Sequence, residues 1–132
     1  MAAFSNYLED QITGWIAGTA FATAPTATFV QLYNGDPTDA GSGGTALYSR
    51  VSVASGAGSW TRGTGGNGTI TNASAVTITS SATATASATH VAVWDASAAG
   101  NLLFFGALTT AKTIASGDEV KFNTSALTLT VA

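Results

Sequence analysis

From Thr89 to Val131 the chain reads THVAVWDASAAGNLLFFGALTTAKTIASGDEVKFNTSALTLTV. Short apolar runs alternate there with clusters of Ser, Gly, Asn and Asp, at a spacing that suits antiparallel strands joined by tight turns. His90 to Asp95 is expected as one strand, Ala96 to Gly100 as a small-residue turn, and Asn101 to Leu108 as the returning strand. Both strands are apolar enough to lie at the centre of a sheet. Ser116-Gly117-Asp118 then turns the chain into Val120 to Phe122. Leu127, Leu129 and Val131 alternate with Thr128 and Thr130, which gives a last strand one buried face. Almost no ionisable group is left over for chemistry, so this third of the chain specifies a scaffold.

Upstream, Phe4, Leu8, Ile12, Trp15 and Ile16 follow helical spacing, Asn6 and Glu9 stand three apart as a capping pair, and Gly18 offers a stop. One amphipathic helix is expected over about Ser5 to Ala17, its apolar stripe packed on its own domain; a partner-docking helix is the alternative. Glu9 and Asp10 interrupt the apolar run and no basic segment precedes it, so it reads as neither a membrane span nor a signal peptide. After a Thr/Ala linker with Pro25, Thr28 to Tyr33 reads as a strand, cut off by the turn signal Asn34-Gly35-Asp36-Pro37 and a glycine-serine tract to Gly44. Tyr48 to Val53 reads as the next strand, with Arg50 on its polar face. Ala54 to Gly68 reads as a long loop carrying Trp60 and Arg62. Thr69 to Thr71 and Val76 to Thr79 form short strands around Asn72. The Ser/Ala/Thr tract from Ser80 to Thr89 suits either a strand edge or a solvated loop.

The expected fold is therefore mainly β, an antiparallel β-sandwich or jelly-roll-like barrel closed at one end by the N-terminal helix. One domain is expected over residues 1–132, with an arm and helix in 1–22 and the sandwich in 27–132. A chain of 132 residues buries roughly two thirds of its unfolded surface in a single core.

Charge decides which functions remain open. Only 8% of residues are charged, against roughly 25% in an ordinary soluble domain. The surface is mostly hydroxyl, amide and methyl, and covering it strips little tightly held water. The chain has seven acidic residues and four basic ones, the basic ones scattered singly, without the basic stripe that phosphate backbones require, which argues against nucleic acid. There is no cysteine for a disulfide or a thiolate site. Sheet edges with so few charges to blunt them favour pairing with neighbouring copies.

No residue carries convincing catalytic chemistry, and no cofactor or metal is expected. His90 is the only histidine, and nothing in the spacing supplies partners for a metal site or a relay. Asp36 with Asp39, and Asp118 with Glu119, match no defined calcium loop and read as turn formers. The glycines from Gly63 to Gly68 lack the Lys-Ser or Lys-Thr pair of a phosphate cradle. No acidic pair is suitably placed for glycoside hydrolysis. Trp60, Trp94 and Tyr48 could form a sugar platform, although Trp94, in a central strand, reads as core.

The segments AFSNYLEDQI, FVQLYNGDPTDAG, THVAVWDASAAGNLLFFGALTTAKTI, SGDEVKF and LTLTV together resemble a family of small tailed-bacteriophage virion proteins. Its members are often labelled tail fibre proteins, and some resemble capsid cement, or decoration, proteins. The resemblance implies a structural role in the virion. It points first to a cement protein on the outer capsid surface that clamps major capsid protein subunits, as a homotrimer at three-fold positions. The alternative is a tail fibre or tail-tip component that binds host-surface glycan. Expected contacts run through the N-terminal segment (Phe4, Tyr7) and the two long loops, with Asn34, Asp36, Tyr48, Trp60 and Arg62 as the named side chains.

Overall fold

A computed structural model describes residues 2–54, 58–66, 68–79 and 85–130. Strand β1 (Ala2–Phe4) leads into helix α1 (Asn6–Ile16), followed by β2 (Ala27–Asn34), β3 (Thr45–Ala54), β4 (Trp60–Arg62) and β5 (Thr69–Asn72). The chain continues through β6 (Val76–Thr79), β7 (Ala86–Trp94), β8 (Leu102–Ile114), β9 (Glu119–Phe122) and β10 (Thr128–Thr130). The fold is mainly β, with antiparallel pairing and one helix near the N-terminus. A five-stranded sheet runs β1-β8-β7-β2-β3; β10-β5-β4 and β6-β9 form two smaller sheets.

Period-two alternation explains the layering. In β2, Val30 and Leu32 point to one face and Phe29, Gln31 and Tyr33 to the other. Val30 through Tyr33 are all buried, because this central strand is covered on both sides. On the inner face Val30, Leu32, Val93 and Ile114 meet Trp60, Val76, Ile78, Val120 and Leu127 from the smaller sheets. Each such side chain contributes roughly 1.5–3 kcal/mol when fully buried. The outer face carries a second cluster of Tyr33, Ala92, Trp94, Leu102 and Phe105, with Phe29 against it.

Several boundaries differ from the sequence reading, for reasons visible in the pairing. Residues 2–4, expected as an arm, form an edge strand opposite Phe104 to Gly106. Residues 60–62, expected inside a loop, form a strand opposite Ile70 to Asn72, and Trp60 is thereby drawn into the core. Strand β8 runs on to Ile114 because Ala86 to Ala88 pair with Lys112 to Ile114, beyond a bulge in which Thr89 alone faces residues 108–111. The start of the Ser/Ala/Thr tract and Val131 lie outside the described residues.

The helix departs from expectation most. Its N-cap is Ser5 rather than Asn6: the Ser5 hydroxyl accepts from Leu8 N at 3.2 Å and donates to the Leu102 carbonyl. Ser5 wins because its own N–H is already held by the Leu103 carbonyl at 3.1 Å, which fixes it at the end of β1. None of the helix residues is fully buried: Leu8 and Ile12 are half-buried, but the end of the apolar stripe, Trp15 and Ile16, is not absorbed by the domain.

Candidate functional site

The turn after β2 is no free loop. Asp36 Oδ1 accepts from Thr38 N at 2.8 Å, Gly43 N donates to the Pro37 carbonyl at 2.8 Å, and Pro37 is fully buried. The chain then crosses the outer face at Gly41, where a Cβ would sit 2.6 Å from the Trp94 ring; only glycine fits this close approach, at φ 69°. Asn6 N donates to the Asp39 carbonyl at 3.0 Å and ties this segment to the start of α1. The long loop expected here is present and mostly exposed, but it is tied down by these bonds and covers Trp94.

Beneath it lies a polar network that the sequence does not announce. Gln31 alone faces residues 48–50 in a bulge between β2 and β3, and Tyr48 accommodates the bulge at φ 63°. The Gln31 amide fills the gap: Nε2 donates to the Tyr48 carbonyl at 2.9 Å, and Oε1 accepts from Arg50 Nε and the Tyr33 hydroxyl, each at 3.1 Å. The bulge turns Arg50 onto the Trp94 ring. Burial pushes the Tyr33 phenol above its ordinary value, against the pull of the Arg50 charge; burial also pulls the Arg50 guanidinium down, with Tyr33 and Asp95 opposing. The Gln31 amide is spent inside this network, which reads as architecture.

The bare surface lies at the other end of α1. Trp15 is 61% exposed, Ile16 74% and Phe21 49%. Gly18, at φ 91°, ends the helix. Ala22 N donates to Gln11 Oε1 at 2.8 Å, which folds the following segment back so that the Phe21 and Trp15 rings stand 6.1 Å apart. Tyr7, Leu8, Gln11 and Ile12 are half-buried against the domain. The last turn projects past it. Two large aromatics and an isoleucine are thus left together in water at one end of the helix.

The side chains expected to make contacts are spread over the molecule. Phe4 is half-buried opposite Phe104. Tyr7 lies in the first turn of α1 and shares an open cleft with Asp39, Trp94 and Asn101. Asn34 and Asp36 are exposed at the end of β2 and the start of its turn, and Arg62 is exposed on β4. Tyr48 is half-buried with its hydroxyl enclosed. Trp60 is 8% exposed, donates from Nε1 to Thr28 Oγ1 at 2.9 Å and meets Phe104 edge-on at 6.0 Å. Trp60 and Tyr48 therefore offer no open aromatic face for a sugar. Trp15 and Ile16 were visible as the end of the helical stripe; that they stay bare follows from where β1 stops and α1 leaves the sheet.

Among the described residues, no group of three or more His, Cys, Asp or Glu side chains converges as a metal site would, and no helix is long and apolar enough to cross a membrane. One family model, described as podophage GP4 fiber I protein gp80, matches residues 3–130. No curated protein matches the chain.

Proposed function

Because the chain belongs to the podophage GP4 fiber I protein gp80 family and is therefore a structural component of a tailed-phage virion, we propose that it is a non-catalytic subunit of the fibre apparatus, attached through the bare end of α1. The observation that supports this most is the exposure of Trp15, Ile16 and Phe21 on a domain whose other large apolar side chains, among the described residues, are buried or half-buried. The rest of the surface is nearly uncharged, so neighbouring protein can cover it at small desolvation cost.

A second reading is a capsid cement protein on the outer shell, clamping major capsid subunits and acting as a homotrimer. The same neutral surface supports it: each copy would add a modest interface, on the order of 1,000 Å² for a specific contact, which the lattice repeats many times over. The family description favours the fibre, reversing the order that sequence suggests.

Phage carrying Trp15→Ser with Ile16→Asn provides the test. The variant subunit should fold, with an unchanged melting temperature in isolation, and be missing from purified particles. Normal incorporation would overturn the attachment role of α1. Quantitative mass spectrometry of wild-type particles separates the two readings. A few copies per particle support the fibre. Hundreds, with loss of heat resistance when the protein is deleted, support the shell clamp.

A further inference from the structure

We propose that the bare end of α1 seats in a second copy of the same chain, in the groove between β8 and the β9–β10 segment. The proposal rests on α1 being an assembly element and names its partner. The groove has a volume of about 520 Å³, a floor that includes Phe104, Leu108, Val120 and Phe122, and two lysines, Lys112 and Lys121, in its lining. It forms because β8 outruns the smaller sheets that cover the inner face. Phe104, Leu108 and Phe122 remain only half-buried there. A space of this size is on the scale of pockets that engulf a small ligand, roughly 300–1,000 Å³. The paired rings of Trp15 and Phe21, with Ile16 beside them, are an apolar plug of matching dimensions.

Charge favours a copy of this chain over an unrelated partner. Of the four basic residues, Arg50 is consumed inside the domain and two of the other three line this groove. Both lysines are exposed, and among the described residues neither takes part in an ion pair. Helix α1 carries Glu9 and Asp10 and no basic residue. Glu9 stands seven positions before Ile16, on the same flank of the helix, so seating Ile16 brings a carboxylate toward the groove's lysines. Apolar plug and acidic flank on one surface, apolar floor and basic lining on another, make the chain complementary to itself. No residue of α1 lines the groove of its own chain. The contact therefore joins different patches on two copies, and such heterologous contacts close into rings where the rotation permits.

Because the chain lacks cysteine, cross-linking gives a clean test. Purified Ile16→Cys protein is mixed with a differently tagged Leu108→Cys protein and oxidised. Disulfide-linked heterodimers support the proposal; neither variant alone should yield them. Lys112→Glu with Lys121→Glu, exposed substitutions checked by an unchanged melting temperature, should weaken self-association roughly tenfold or more, and Glu9→Lys should restore it. A chain that stays monomeric in light scattering and forms no cross-link overturns the proposal. If Trp15→Ser with Ile16→Asn is still excluded from particles in that case, α1 docks elsewhere and only the partner is wrong. Normal incorporation despite a cross-link would instead keep the self-contact and remove the attachment role.

Discussion

The Arg50 guanidinium stands 3.8 Å from the centre of the Trp94 ring, and its Nη1 donates to the carbonyls of Ala96 and Ala99 at 2.7 Å each. One cation thereby binds β3 to the face of β7 and to the β7–β8 turn, 46 to 49 residues away. A partly enclosed cation–π contact is worth about 1–2 kcal/mol and a hydrogen bond from a charged donor about 1.5–3 kcal/mol. Arg50 is half-exposed and solvent screens these contacts, which places Arg50→Ala below their sum, at a loss of about 2–4 kcal/mol. Arg50→Lys should lose roughly half as much, since an ammonium keeps the charge but not the planar fork. Equilibrium urea unfolding measures both, and an unchanged midpoint for Arg50→Ala would remove the clamp.

Tyr33 gives this network a pH dependence. Burial raises its phenol above 10.0, with the Arg50 charge opposing, so the folded chain holds that proton more tightly than the unfolded chain does. The associated stability is fully present below about pH 10 and is lost as pH rises from there through the folded value, because the unfolded state ionises first. The Arg50 guanidinium is shifted downward by burial, so its contribution has the opposite sign. Unfolding free energy should therefore fall above about pH 10, and less steeply in Tyr33→Phe. Denaturant midpoints across that range provide the measurement, and parallel curves would exclude the linkage.

The central strands were legible from their apolar and β-branched content, and the buried face of the last strand from alternation, which sets Leu127 and Leu129 inward. The hairpin around Ala96 to Gly100 was legible from its small residues. Pairing across long separations was not legible: β1 against β8, or β4 recovered from a glycine-rich stretch, depends on which edges remain open after the central strands have paired. The Arg50–Trp94 contact depends on a bulge of two extra residues on β3, and such a change of register leaves no trace in local composition. The exposed helix end was half legible. Its stripe was plain, but periodicity cannot say whether a face is covered by its own domain or by another.

Ser5 ties helix to sheet with a single hydroxyl, accepting from Leu8 N and donating to the Leu102 carbonyl, at 1% exposure. Ser5→Ala removes an N-cap, worth about 1–2 kcal/mol, and a buried hydrogen bond to the Leu102 carbonyl. The melting temperature should drop by roughly 3–8 °C. Ser5→Thr, which keeps the hydroxyl, should lose less. Thermal unfolding followed by circular dichroism distinguishes them, and equal losses would show that packing rather than capping sets the effect.

Gly100 closes the β7–β8 turn at φ 71°, where a Cβ would lie 2.5 Å from Asp95 Oδ1 and 2.6 Å from the Ala96 Cβ. Asp95 cannot give way freely, because Oδ1 accepts from Asn101 N at 2.6 Å and Oδ2 from Asn101 Nδ2 at 2.8 Å. Gly100→Ala combines about 1–2 kcal/mol of left-handed backbone strain with displacement of that clasp. It should destabilise more than Gly65→Ala, also at positive φ but with open space around its Cβ. Comparing the two variants by urea unfolding isolates the clash.

Asn72 is the polar counterpart of the core, with no exposure at all. Its Oδ1 accepts from Leu127 N, and its Nδ2 donates to the carbonyls of Ser74 and Asn123, each at 2.8 Å. One amide thus pairs three main-chain groups where the β5–β6 turn meets the β9–β10 connection. No other side chain of this size offers two donors and an acceptor in that arrangement. Asn72→Ala strands those groups away from water, at about 1–3 kcal/mol each where no water enters, and a total loss of about 3–5 kcal/mol is expected. Asn72→Asp keeps the acceptor but replaces the donor with a second oxygen facing two carbonyls, so it should be no better than alanine at neutral pH and should recover on acidification as the carboxylate protonates. Hydrogen exchange at Leu127 reports the site directly: its amide should be strongly protected in the wild type and exchange early in Asn72→Ala, which removes its acceptor, and retained protection there would show that the main chain holds this junction without the side chain.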